Sequence, residues 1–265
     1  MTGITSVAKK TVKDLVTSKR VAFTLAEFFS PHCAGRRKIA FTLAEVLITL
    51  GIIGVVASLT MPTLIRNKQD QELIVRTKKV WSDINNAILL SQQDYGVIGD
   101  NSILFNATDS DDTIIQNLAK YFNGAKVCLS TQNECKQYKY DVKYATKVVS
   151  KQNNTAAVLS PGLFYSKIIL SNGAILSLVS NRSGCKPKAY INYISPVCAN
   201  AAFDVNGTKA PNQFGRDVYY FWVYREKLYP NIRTNPERGS VSFMNILSGK
   251  DKLEYFKYEK GQKFD

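Results

Sequence analysis

Hydrophobic and polar positions divide the chain into three regimes. Residues 1–40 are polar and basic, whereas Phe41–Ile65 carries a single charge, Glu45, and Val46–Ile65 is an uncharged, mainly apolar run of twenty residues. At about 1.5 Å per residue a helix over that run is roughly 30 Å long, the thickness of a bilayer's hydrocarbon core. After Ile65 the pattern becomes one-sided. Leu73, Thr77, Val80, Trp81, Ile84, Ile88 and Ser91 recur at three-to-four spacing, which predicts an amphipathic helix. The phase holds to about Tyr95, and Gly96 supplies a stop. One helix of about fifty residues, Thr42–Asp94, is therefore expected. Pro62 removes a hydrogen bond inside it and should bend it. Gly51 and Gly54 either let neighbouring helices approach closely or are flexibility tolerated in an anchor.

The rest of the chain reads as a mixed head. Ser110-Asp111-Asp112-Thr113 opens a short helix running through Phe122, with Ile114, Ile115, Leu118 and Phe122 inward and Asn123-Gly124 closing it. Cys128–Thr155 is polar and lysine-rich, an irregular stretch with one strand near Tyr144–Val149. Leu163–Leu170 and Ala174–Val179, joined at Asn172-Gly173, predict a β-hairpin. Further strands are expected at Ala201–Val205 and Asp217–Tyr224, the latter closed by Tyr229-Pro230. Asn231–Asp265 reads as a helical or loose extension. An antiparallel sheet with one apolar face would cover the amphipathic part of the first helix. The expected fold class is α+β: a long N-terminal helix packed on a small antiparallel sheet. Its divisions are 1–40, 41–65, 66–95 and 96–265.

The flanks of the apolar run carry further information. Arg36-Arg37-Lys38 precedes it and favours a cytoplasmic location for that end. A lone carboxylate costs about 2.5–3.5 kcal/mol at mid-membrane and less near the edge, so Glu45 needs a partner. A secretory signal would have a shorter apolar core with its cleavage site after it. Here the only plausible site comes before. Were the chain cut between Ala40 and Phe41, the new amino group would start the helix, and Glu45 could pair with the same amine on a neighbouring chain.

Ala40-Phe41-Thr42-Leu43-Ala44-Glu45-Val46-Leu47-Ile48 resembles the prepilin-type cleavage and methylation segment of type IV pilins and type II secretion pseudopilins. The likeness runs from about Lys38 to Ile65 and includes Pro62. It implies a leader removed by a prepilin peptidase after Ala40, which stands where that family usually has Gly, and N-methylation of Phe41. It also implies an assembly role for Glu45, a single-pass state in a bacterial cytoplasmic membrane with the head outside the cytoplasm, and then an extracellular or periplasmic filament built with copies of itself or related subunits. Within residues 1–40, Val21–Glu27 repeats Ile39–Glu45 at a period of eighteen, but Phe28-Phe29-Ser30-Pro31 follows it and stops any span. The first copy reads as a duplication remnant, or as part of an over-long leader begun at an upstream start codon.

Charge and cysteines sharpen this picture. The net charge is +14, with eight Lys or Arg against two acids in residues 1–40 and 27 against 19 in the remainder, a net +8. No nucleic-acid-binding pattern accompanies it, so the basic balance implies at most non-specific adsorption to DNA or anionic surfaces. Of five cysteines, Cys33 lies in the leader; Cys128, Cys135, Cys185 and Cys198 remain. Four cysteines allow three connectivities, and short spacings favour Cys128–Cys135 and Cys185–Cys198. The alternative, a zinc site, lacks a tight C-x₂₋₄-C knuckle.

Asp204-Val205-Asn206-Gly207, with Gly215 and Asp217 following, partly matches a Ca²⁺ loop, with Asp204, Asn206 and Asp217 as ligands. It lacks the downstream Glu of an EF-hand and includes Lys209. The competing reading is a turn whose Asp and Asn side chains bind their own backbone. Catalysis has little support: the only histidine, His32, lies in the leader, and no Walker or G-x-G-x-x-G loop occurs. No cofactor beyond that Ca²⁺ is expected. The sequence thus supports a filament subunit, with a membrane-anchored or filament-tip binding protein as the alternative, its Lys-rich loops 136–151 and 182–188 contacting acidic partners.

Overall fold

The computed structural model describes residues 41–146, 158–159, 165–178, 185, 197–230 and 236–257. The leader with Ala40, Leu163 and Phe164 of the expected strand, residues 147–149 and Tyr258 lie outside them. The chain is α+β and divides into two units, Met1–Val55 and Val56–Asp265.

Helix α1 covers Leu43–Asp94, within a residue of the expected bounds. In the first unit its side chains from Leu43 to Val55 are all exposed. It is long and apolar enough to cross a membrane: its most apolar eighteen residues have a mean hydropathy of 2.1, and none of them is buried. Within the second unit, Leu73, Ile74, Thr77, Val80, Ile84, Ala87, Ile88, Ser91 and Gln92 are buried, which is the stripe read from periodicity with its neighbours filled in. Gly96 follows with φ 67°, a left-handed value that glycine adopts without a Cβ penalty.

Helix α2 (Asp111–Ala119) starts at Ser110, whose side chain accepts from the Thr113 N–H. It stops three residues short of the expected end because Lys120, Tyr121 and Phe122 donate to carbonyls three residues back, which tightens the last turn. Among the described residues eight strands follow: β1 (Lys126–Cys128), β2 (Val142–Lys143), β3 (Val158–Leu159), β4 (Lys167–Ile169), β5 (Ile175–Leu178), β6 (Val197–Asp204), β7 (Val218–Tyr224) and β8 (Leu228–Pro230). Six form an antiparallel sheet in the order β1-β4-β5-β6-β7-β8, and β2 pairs with β3 separately. The β4–β5 turn is the Asn172-Gly173 turn of the sequence, with Gly173 at φ 85°.

Four expectations need correction. Cys128, expected in loop, is the last residue of the edge strand β1. The strand placed at Tyr144–Val149 is absent at Tyr144–Thr146; Ala145 instead donates to the Glu237 carbonyl and accepts from the Phe256 N–H, so the C-terminal segment occupies its backbone. Tyr229-Pro230 is not a closing turn but part of β8, admitted because an edge strand tolerates proline. The sheet also buries both faces. Alternation along β6 and β7 sends Phe203, Tyr219, Phe221 and Val223 to the α1 side, while Ala202, Val218 and Tyr220 join Val142, Ala145 and Phe214 in a second, smaller cluster.

The C-terminal part is structural rather than loose. Helix α3 (Ser240–Leu247) delivers Phe243 and Ile246 into the main core. Phe243 meets Trp81 of α1 at 5.0 Å, Phe203 of β6 at 5.5 Å and Tyr219 of β7 at 5.1 Å between ring centroids. Gly239, at φ 78°, allows this approach: a Cβ there would collide with the backbone of Gly215.

Candidate functional site

In the first unit, Phe41 is exposed, and Thr42 and Glu45 cap the start of α1. The Glu45 carboxylate accepts from the Thr42 N–H at 2.8 Å and from its hydroxyl at 2.9 Å, while the Glu45 N–H donates to the Thr42 Oγ1 at 3.2 Å. This is a capping box, which satisfies backbone donors that a helix start leaves unpaired. The T-x-x-E spacing carried that signal in the sequence, and the sequence reading had assigned Glu45 only an intermolecular partner. Pro62 lies inside α1.

In the second unit, disulfides join Cys128 to Cys135 and Cys185 to Cys198. The first ties the end of β1 to the 3₁₀ turn Asn133–Tyr138, and the second anchors Cys185 to β6. Beside the first lies a residue that nothing in the sequence flagged. Lys167, in register with Cys128, is buried and donates from Nζ to the Tyr138 carbonyl at 2.9 Å. Burial and the charge of Lys139 pull its ammonium down to about 8. Of the Lys-rich loops, residues 136–146 are described, and Lys136 and Lys143 there are exposed.

The structure brings Asp204, Asn206 and Asp217 together. Asp204 ends β6 and Asp217 precedes β7; both are wholly buried. The Asp204 carboxylate accepts from the Tyr140 hydroxyl at 2.6 Å and the Asn206 N–H at 3.0 Å, and that of Asp217 accepts from the N–H groups of Asn212 at 2.8 Å and Gln213 at 2.7 Å. Asn206 and Asn212 clasp the loop by donating to the carbonyls of Ala210 and Thr208. Their Oδ1 atoms are buried without a partner among the described residues. Lys209 is exposed.

All four carboxylate oxygens thus already accept hydrogen bonds from the protein, and among the described residues no third carboxylate, His or Cys completes a metal-binding group. The donor pattern is that of the self-bonded turn. Burial, then the charge of Asp217, raises Asp204 well above the usual carboxylate range. Burial also lifts Asp217 to about 6, against the pull of the Gln213 and Asn212 N–H groups and of Arg216.

A carboxyl raised in the folded state contributes stability that is complete below its ordinary value, near 4, and is lost as pH rises through the folded value. Stability should therefore fall between about pH 4 and 6 as Asp217 ionises, and further as Asp204 does. Asp204→Asn keeps the acceptor for Asn206, offers an N–H to Tyr140 and removes the repulsion. We expect it to stabilise the fold by about 1–3 kcal/mol at pH 7 and not at all at pH 4, read by denaturant unfolding at both pH values. A bound Ca²⁺ would hold both acids ionised, abolish the fall between pH 4 and 6 and move the pH dependence below about pH 4.

Comparison of the chain with protein-family models, with curated proteins and with solved structures finds no match.

Proposed function

We propose that this chain is a subunit of a type IV pilus-like or type II secretion-like filament. It is made with a leader that a prepilin peptidase removes after Ala40, and is stored in the cytoplasmic membrane before assembly. The observation that carries this reading is the exposed apolar segment of α1, capped at its start by Thr42 and Glu45 and ending at Ile65. A run of twenty uncharged residues, its large apolar side chains exposed, needs lipid or sister helices, and the resemblance of residues 40–48 to a prepilin processing segment favours both in turn. Within a filament, Glu45 would leave Thr42 or share itself with the Phe41 amine of an adjacent subunit. That pairing would set axial register, because an unpaired buried charge penalises every other register. The two disulfides fit a head on the non-cytoplasmic side, where such bonds persist.

Intact-mass measurement of the membrane-extracted protein tests this directly. The expected mass is that of residues 41–265 with one methyl group and four oxidised thiols. An uncut chain, or one starting beyond Ile65, rejects the proposal.

A further inference from the structure

A cavity of about 410 Å³ lies in the second unit between α1 and the β6–β7 loop. Its lining includes three cations, Arg76, Lys209 and Arg216, and one acid, Glu72. Two of the cations are held in place. Arg76 pairs with Glu72 at 2.6 Å; Arg216 pairs with Asp70 at 3.3 Å and stacks on the Tyr255 ring at 4.8 Å. Tyr255 is fixed in turn, accepting from Arg66 at 2.9 Å and donating to Asp70 at 2.9 Å. Lys209 has no partner among the described residues and is carried by a loop that Asn206 and Asn212 clasp from inside. Three cations thus face one acid around the cavity, with Arg66 and Asp70 behind them holding Tyr255 and Arg216. Pre-positioned guanidinium forks and a mobile ammonium suit an oxyanion.

Size and position narrow the ligand. The volume corresponds to about a dozen waters at ~30 Å³ each, more than a carboxylate side chain fills. The apolar run ends at Ile65, so Gln69 and Glu72 of the lining stand about 6 and 10 Å further along the helix axis. The headgroup layer beyond the hydrocarbon core is roughly 5–8 Å thick on each side. Side chains on a helix lean toward its N-terminus, which brings Arg76 back toward that layer.

We propose that this cavity holds the phosphate of an anionic phospholipid headgroup, fixing the membrane-stored subunit at one depth. The proposal rests on the reading that Val46–Ile65 spans a bilayer. Its test uses the full chain in nanodiscs of phosphatidylcholine with phosphatidylglycerol, with retained lipids counted by native mass spectrometry after transfer to detergent. Phosphatidylglycerol should be retained over phosphatidylcholine. That preference should drop about five-fold in Lys209→Gln, the effect of one basic residue at an anionic surface, with the thermal midpoint unchanged. Lys120→Gln, the same loss of charge at the end of α2, should leave the preference intact.

Equal retention of the two lipids, an unaltered preference in Lys209→Gln, or an equal drop in Lys120→Gln overturns the site. Inorganic phosphate probes the other source of the same chemistry: Lys209-dependent binding of it in phosphatidylcholine-only discs, with no preference for phosphatidylglycerol, overturns the lipid assignment. A chain that never enters the discs fails earlier, and rejects the spanning reading instead.

Discussion

Phe243→Ala is expected to lower the free energy of unfolding by about 3–5 kcal/mol, the usual cost of emptying a fully buried phenylalanine site. Phe243 is completely buried and touches aromatic rings from α1, β6 and β7 at once, so the void left behind cannot be closed by moving one neighbour. Aromatic pairs add about 0.5–1.5 kcal/mol each beyond buried area, which places this site at the upper end of the range. Denaturant unfolding of the full chain measures the loss, and amide exchange should show α3 losing protection first. Val241→Ala on the exposed side of the same helix is the control, with an expected change within about 0.5 kcal/mol. A loss below about 1 kcal/mol for Phe243→Ala would mean that α3 is not part of the core.

Glu45→Ala should leave membrane insertion intact and prevent incorporation into filaments. Losing the cap costs the start of α1 only about 1 kcal/mol, too little to unseat a helix of this length. Leaving the amine of a neighbouring Phe41 buried and unpaired costs about 3–5 kcal/mol per contact, more than a hundred-fold in equilibrium incorporation. Glu45→Gln separates the two roles, because Gln also completes a capping box but carries no charge. Sheared filament fractions and carbonate-washed membranes, blotted for the three proteins, give the comparison. Normal incorporation of Glu45→Ala would end the register argument. Normal incorporation of Glu45→Gln alone would transfer the role from charge to cap.

Much of the fold was legible because it depends on local periodicity. The α1 stripe, the Ser110 cap, the Asn172-Gly173 turn and the Asp217–Tyr224 strand each follow from spacings of a few residues. Disulfide pairing was legible for a related reason, since short separations place the partner cysteines near each other in any fold. The misses have the opposite character. β1 and β8 are three-residue edges whose strand identity comes from the neighbour they pair with, not from their own composition. Tyr144–Thr146 looks like a strand, yet the backbone partners of Ala145 are Glu237 and Phe256, some ninety to a hundred and ten residues away.

The candidate sites divide along the same line. Phe41, Glu45 and the apolar run are readable one after another along the chain, and so was the Thr42–Glu45 box, had its spacing been weighed. Asp204 and Asp217 were singled out by pattern, but their burial, the Tyr140 hydroxyl on Asp204 and the upward shift of both acids depend on β6 and β7 lying side by side. The cationic cavity was not visible at all. Its residues come from α1 and from a loop some 130 residues later, and nothing in either stretch alone differs from an ordinary solvated surface.

The amino-acid order by itself determined the long helix, its apolar half and the mixed character of the head, because backbone periodicity and side-chain transfer energies act over a few residues. Only the tertiary structure decided which charges would be buried together, which tail segment would complete the core, and where cations from distant parts of the chain would converge. Those outcomes depend on distances across the fold, and no local pattern encodes them.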